Sequence, residues 1–230
     1  ISTGVVLAWA TEAFKKEMIS QKDTLGLILD WGDHKTYMKA VELISNRINT
    51  FYSILAEGVE QASLKYGGED FALAFGTNEM PGYHTGPLCY AGYLTGSRHS
   101  HLDSAGYSLD QKMLSDKIMS PEDAAKSLLL EESWRQVLSS LVVCYFARKI
   151  FNPKIITKTL DIIGLHVSKE ELNQLGLEIL KKKVIYKERE GFSHEKLHIP
   201  KRILEQKTPL GYIDERYLMK TIEYYFNYLK

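Results

Sequence analysis

The segment Arg98-His99-Ser100-His101-Leu102-Asp103 is the densest group of proton-handling side chains in the sequence. Imidazole is the side chain that changes charge near neutrality, so His99 or His101 can act as a general acid or base, or as an electrophile bonded to a carbonyl. The plain alternative is one histidine satisfied in a polar network and the other facing solvent. A His-x-His pair also suits a metal, but no third ligand stands at a recognisable spacing. His84 in Pro81-Gly82-Tyr83-His84-Thr85-Gly86 reads as a turn residue, and His166, His194 and His198 have no supporting pattern.

The two cysteines, Cys89 and Cys144, are too few for a disulfide scaffold, and with no CxxC spacing the chain cannot build a four-cysteine centre from its own residues. On composition alone each reads as a small core hydrophobe. Asp23 with Gly26, in DTLGL (23–27), can offer a carboxylate and open amide hydrogens to a polar ligand, or simply end a helix.

These residues need elements to hold them. Residues 76–112 carry Gly76, Gly82, Gly86, Gly92, Gly96 and Gly106 with Pro81 and Pro87, the composition of a binding loop shaped by what it packs against. A short helix near 87–96 fits behind Pro87. Apolar periodicity predicts helices over 3–18, 33–48 (capped by Asp33) and 50–66. FALAF (71–75) is the one strand candidate. Ser120-Pro121-Glu122-Asp123 opens the longest helix, expected to run to Phe151 with Leu141, Val142, Tyr145 and Phe146 on its buried side. Helices over 154–163, 169–186 (a Ser168/Glu171 capping box) and 215–229 follow. The class is all-α, divided into helical domains 1–115 and 116–230.

The chain has 230 residues, 44% of them hydrophobic, and 29 basic against 29 acidic side chains. Nothing in that balance favours a nucleic acid. No apolar run is long enough for a membrane span; a cytoplasmic location is expected. The apolar start at Ile1, without a basic leader, reads as an interior point of a longer chain. KKKVIYKER (181–189) is a basic run, either a solvated helix end or a contact for phosphate or an acidic partner.

Taken in order, the motifs resemble the C-terminal half of the tungstopterin aldehyde:ferredoxin oxidoreductase family. They are ISTG (1–4), DTLGL (23–27), LAEGV (55–59), NEMPGY (78–83), RHSHL (98–102), EREGF (188–192) with IPKR (199–202), and DERYLMKTIEYY (214–225). The resemblance implies a tungsten or molybdenum ion held by two pterins, with a [4Fe–4S] cluster beside one of them. The pterin saddle and three cluster cysteines then lie upstream of Ile1. Carried over by position, Asp23, Gly26 and Leu27 contact one pterin and Cys144 is the fourth cluster thiolate. His101, or His99 one step away, is the active-site histidine. Implied partners are the missing N-terminal portion, ferredoxin or another redox subunit, and a small aldehyde; a homo-oligomer is compatible.

The sequence departs from the family pattern at three places. SSLVVC (139–144) stands where DxxGLC is expected, so Ser139 replaces the aspartate and Val142 the glycine. HTG (84–86) stands where DPR is usual, and RHSH shortens the RGxxH stretch. These changes suggest a branch with another substrate, such as an aromatic acyl-CoA, and a non-catalytic isolated helical domain is the remaining alternative.

Overall fold

The structure, a computed structural model, describes residues 1–230 apart from the side chain of Glu195. It is all-α, with one hairpin of two-residue strands among the described residues. The backbone forms two compact units, Ile1–Gly82 with His198–Gln206, and Tyr83–Leu197 with Lys207–Lys230. The chain therefore divides at Gly82 rather than near residue 115, and a short return segment completes the first unit.

In the first unit α1 (Ser2–Lys15) buries Val6, Leu7, Trp9, Ala10 and Ala13. They pack with Phe51, Tyr52, Val59 and Ala62 in one core. Helix α2 (His34–Ser45) starts under its predicted cap, the Asp33 carboxylate accepting from the amides of Lys35 and Thr36. The helix expected over 50–66 is two helices, α3 (Thr50–Leu55) and α4 (Val59–Tyr66). Gly58 breaks it at φ +107°, where a Cβ would lie 2.7 Å from Glu79 Oε1. That carboxylate accepts from the Val59 amide at 3.0 Å and from Ser2 Oγ at 2.9 Å, so LAEG, NEMPGY and ISTG meet on one side chain. The FALAF strand shrinks to β1 (Ala74–Phe75), paired antiparallel with β2 (Asn78–Glu79). Gly76 and Thr77, both at positive φ, make the tight turn between them. In the return segment α10 (Arg202–Glu205), Arg202 pairs with Glu12 of α1, and Lys201 pairs with Asp70.

In the second unit α5 (Pro87–Thr95) packs on α6 (Gly106–Ser115), and α7 (Pro121–Ser140) packs against both α9 (Lys169–Arg189) and α11 (Glu215–Leu229). Gly176 permits the close α7–α9 approach, since a Cβ there would lie 2.2 Å from the Ser133 carbonyl oxygen. The capping box of Ser168 and Glu171 starts α9 as expected. Helix α7 begins at its Ser120 cap but ends at Ser140, eleven residues before Phe151. Amides of Val142 and Val143 turn back onto the carbonyls of Ser139 and Leu138, a closure with a left-handed residue after the last turn. Val142 takes that position at φ +58°. As a result Leu141, Val142 and Phe146 are not core residues; Val142 is 92% and Phe146 89% exposed. Helix α8 (Pro153–Ile162) follows the Asn152 cap.

Candidate functional site

The histidine loop joins α5 to α6, and its two imidazoles have different surroundings. His99 is buried, at φ +51°. Its Nδ1 lies 2.7 Å from the Tyr93 carbonyl and its Nε2 2.8 Å from Lys187 Nζ. An ammonium can only donate, so Nε2 accepts and Nδ1–H donates to the carbonyl. Burial, then the Lys187 charge, pushes the His99 imidazolium down to about 4. Lys187 also donates to the Gly96 carbonyl, sits 3.8 Å over the Phe192 ring, and is itself pushed down by burial to about 8. His99 is thus a fixed, neutral strut at neutral pH. His101 is half-buried, and burial lowers its pKa. Its ring meets Tyr83 at 5.8 Å, and Tyr83 meets Tyr107 at 4.7 Å. Of the pair, His101 is the one open to another molecule.

The loop is held from beneath by α7. Arg135 donates to the carbonyls of Leu102 and Ser104, and Glu132 accepts from the Ala105 amide. The second Glu132 oxygen accepts from Tyr225 of α11 at 2.6 Å, and full burial lifts this carboxyl to about 7. Within the loop the Arg98 guanidinium grips the buried Asp103 carboxylate through two nitrogens. Glu132 and Arg135 were not singled out in the sequence, and Lys187 stood out only as part of the 181–189 basic run. A usable signal was present: these charges continue the apolar stripes Leu128–Glu132–Arg135 and Leu180–Val184–Lys187 at helical spacing.

Asp110 of α6 was also missed. It accepts from Thr85 Oγ1 and from the amides of Leu88 and Cys89, replacing the side-chain cap that Gly86 cannot give α5. Burial raises Asp110 to about 6. His84 is bonded through Nδ1 to the Tyr90 hydroxyl, and Cys89 is buried, its thiol pushed up to about 12.

Cys144 is exposed. It does not lie on a helix, because α7 has ended, and it begins a single tight turn, Tyr145–Ala147. Ser139 is exposed in the last turn of α7. The Tyr145 hydroxyl donates to the Arg135 carbonyl at 3.0 Å, and the Arg135 guanidinium lies 6.0 Å from the centre of the Tyr145 ring. Arg135 therefore ties the cysteine turn to the histidine loop.

In the first unit, DTLGL is a surface turn. Asp23 Oδ2 accepts from the Ser20 amide and hydroxyl, bonds that lower its pKa. Asn49 and Tyr52 donate to the carbonyls of Asp23 and Thr24, and Thr24 donates to the Leu27 carbonyl. Leu25 and Gly26 are exposed at positive φ, and the direction of a Gly26 Cβ is open. Leu27 is half-buried.

A pinned turn with open backbone at Leu25 and Gly26 suits close approach of a flat, polar group. An exposed thiol in an open turn suits a single ligand to a cluster. Val142, where a glycine is expected, takes a left-handed conformation that glycine adopts freely. The Ser139 hydroxyl offers no carboxylate. Among the described residues no three or more His, Cys, Asp and Glu side chains gather as a metal site, and no helix is long and apolar enough to cross a membrane.

A helical fold with these motifs in this order fits the helical domains of the aldehyde ferredoxin oxidoreductase family. Residues 1–229 match the family described as aldehyde ferredoxin oxidoreductase, domains 2 and 3, and the chain belongs to it. It is 27% identical over 197 residues to the aliphatic sulfonate oxidoreductase, WOR-like subunit, of Pyrococcus furiosus. That alignment covers 78% of this chain and 28% of the relative, so the chain spans under a third of that protein.

Proposed function

We propose that this chain forms the helical enclosure of a tungsten- or molybdenum-pterin oxidoreductase that oxidises an aldehyde with water to a carboxylic acid, releasing two electrons to ferredoxin. When bound, the metal-pterin and [4Fe–4S] groups supply the two-electron oxidation and the electron exit. In this reading His101 donates a hydrogen bond to the substrate carbonyl or relays a proton, with Tyr83 and Tyr107 beside it. His99 is a positioning residue: held by Lys187 and Tyr93, it sets the loop and takes no proton. Asp23, Gly26 and Leu27 contact one pterin, Ser139 faces the other, and the Cys144 thiolate is one cluster ligand. The rest of the centre comes from the N-terminal portion, and this chain alone is inactive.

The observation that carries the reading is the division of labour in RHSHLD, one histidine locked and neutral, the other half-open in a tyrosine-lined corner, in a chain of this family. The His101→Ala variant of the full-length enzyme tests it. Loss of a general acid–base group lowers kcat by about 100-fold or more, with metal and iron content unchanged. An unchanged kcat removes His101 from the chemistry.

A second reading keeps the centre and changes the substrate. HTG (84–86) and SSLVVC (139–144) depart from the family pattern, and the Pyrococcus relative is named for an aliphatic sulfonate. An aromatic acyl-CoA is the other class in view. Turnover of aldehydes, aliphatic sulfonates and aromatic acyl-CoA esters, followed with a viologen dye, separates these; ordinary rates with simple aldehydes eliminate the second reading.

A further inference from the structure

The basic run of α9 does not simply face solvent. A cavity of about 480 Å³ is walled by Ile179, Lys182, Lys183, Tyr186 and Lys187 of α9 and by Arg98 at the start of the histidine loop. Four of these side chains are cationic, and no carboxylate lines the cavity. Arg98 is matched by the buried Asp103. The lysines are anchored differently. Lys183 donates to Gln136 Oε1 at 2.6 Å, and Lys187 to His99 Nε2 and the Gly96 carbonyl. These acceptors are neutral, so they fix the ammonium groups in place without balancing their charge. Lys182 stands exposed beside them.

Some lysines elsewhere pair with acids, as in Lys39–Glu42, Lys126–Glu122 and Lys201–Asp70. In a chain of zero formal net charge, three lysines and an arginine around one hollow without a lining carboxylate concentrate positive charge locally. Burial pushes Lys187 down to about 8, the electrostatic cost of a cation with neutral neighbours, and a bound anion reverses that effect. A carboxylate or sulfonate brings one negative charge. A phosphate monoester brings about 1.5 to 2 at neutral pH, the better match to several lysines. Ile179, Tyr186 and the lysine stems leave an apolar wall for the body of such a molecule.

We propose that this cavity binds the phosphate group of a phosphorylated small molecule, with Lys182 and Lys183 as its contacts and Lys187 passing occupancy on to His99. The proposal does not depend on the oxidoreductase reading.

The test is a calorimetric titration of the full protein with inorganic phosphate and pyrophosphate at fixed ionic strength, with the His99 ring followed by NMR. Saturable binding is expected, with movement of the His99 resonances. Lys182→Gln, which alters an exposed side chain, and the Lys182→Gln/Lys183→Gln pair should weaken binding progressively, the pair by about tenfold or more. Lys154→Gln/Lys158→Gln on α8 should leave it unchanged. Circular dichroism and melting confirm that each variant is folded. Absence of saturable binding overturns the proposal, as does equal weakening by the α8 pair or equal binding of acetate. Tighter binding of a short oligonucleotide through the same lysines assigns a polynucleotide surface instead and also overturns it.

Discussion

At the scale of single residues, backbone conformation and titration carry the sharpest expectations. Val142 is a β-branched residue held left-handed with almost no packing to compensate, since 92% of it is exposed. Such a conformation costs an L-residue roughly 1–2 kcal/mol. Val142→Gly should therefore raise unfolding stability by about 1 kcal/mol in urea titrations, because glycine adopts the geometry freely; a loss would mean that Val142 makes contacts that outweigh the strain. His99 gives a pH expectation. The unfolded chain takes up this proton near 6.5, while the native state resists until about 4. Its contribution to stability is complete above 6.5 and is lost as pH falls through that window towards 4. Glu132 has the opposite sign: raised to about 7, it contributes fully below 4.5 and loses that contribution as pH rises towards 7. Because the two oppose each other, the His99 ring is the cleaner readout. Its nitrogen shifts should show a neutral Nδ1–H tautomer at pH 6 and a midpoint near 4, and a midpoint at 6 or above would contradict the buried Lys187 arrangement.

At the scale of elements, α7 is the post on which the histidine loop and the cysteine turn are mounted, with Arg135 as the shared fastening. Arg135→Met keeps much of the apolar stem but strips the donors from the carbonyls of Leu102 and Ser104. Leaving buried acceptors unsatisfied costs about 1–3 kcal/mol, and melting should show a loss of that size. Hydrogen exchange should rise across 98–105 and near Tyr145 while α11 keeps its protection. Uniform loosening of the unit would show instead that α7 packing, not the loop, depends on Arg135. The same helix shows where element boundaries were hidden. Its start was legible, because Ser120, Pro121 and the acids act within one turn. Its end was not: the apolar pattern runs on through Leu141, Val142, Tyr145 and Phe146, and no glycine marks the stop. The 50–66 helix failed for a related reason, since Gly58 breaks it to make room for Glu79, twenty-one residues further on.

At the scale of the whole molecule, burial separates the two cysteines. Cys89 is buried with its thiol pushed up to about 12, and Cys144 is exposed. A thiol reagent should label one cysteine rapidly in the native chain and the second only on unfolding. If Cys144 is a cluster ligand, as proposed, it should be protected as well once iron is bound in the complete protein. Rapid labelling there, with four irons still bound, would exclude it as a cluster ligand.

All-α character, most helix starts and the family motifs were legible in the sequence alone, because caps, capping boxes and apolar periodicity are short-range and act within a turn or two. RHSHLD could be singled out but not resolved, since both histidines have the same local context. What separates them is contact with distant groups: Lys187 reaches His99 across 88 residues, and Tyr225 reaches the Glu132 beneath the loop across 93. The division at Gly82, the exposure of Cys144 and the clustering of lysines around a cavity were likewise decided by tertiary structure. Burial and charge balance depend on which surfaces meet, and in this chain those surfaces come from segments far apart in sequence.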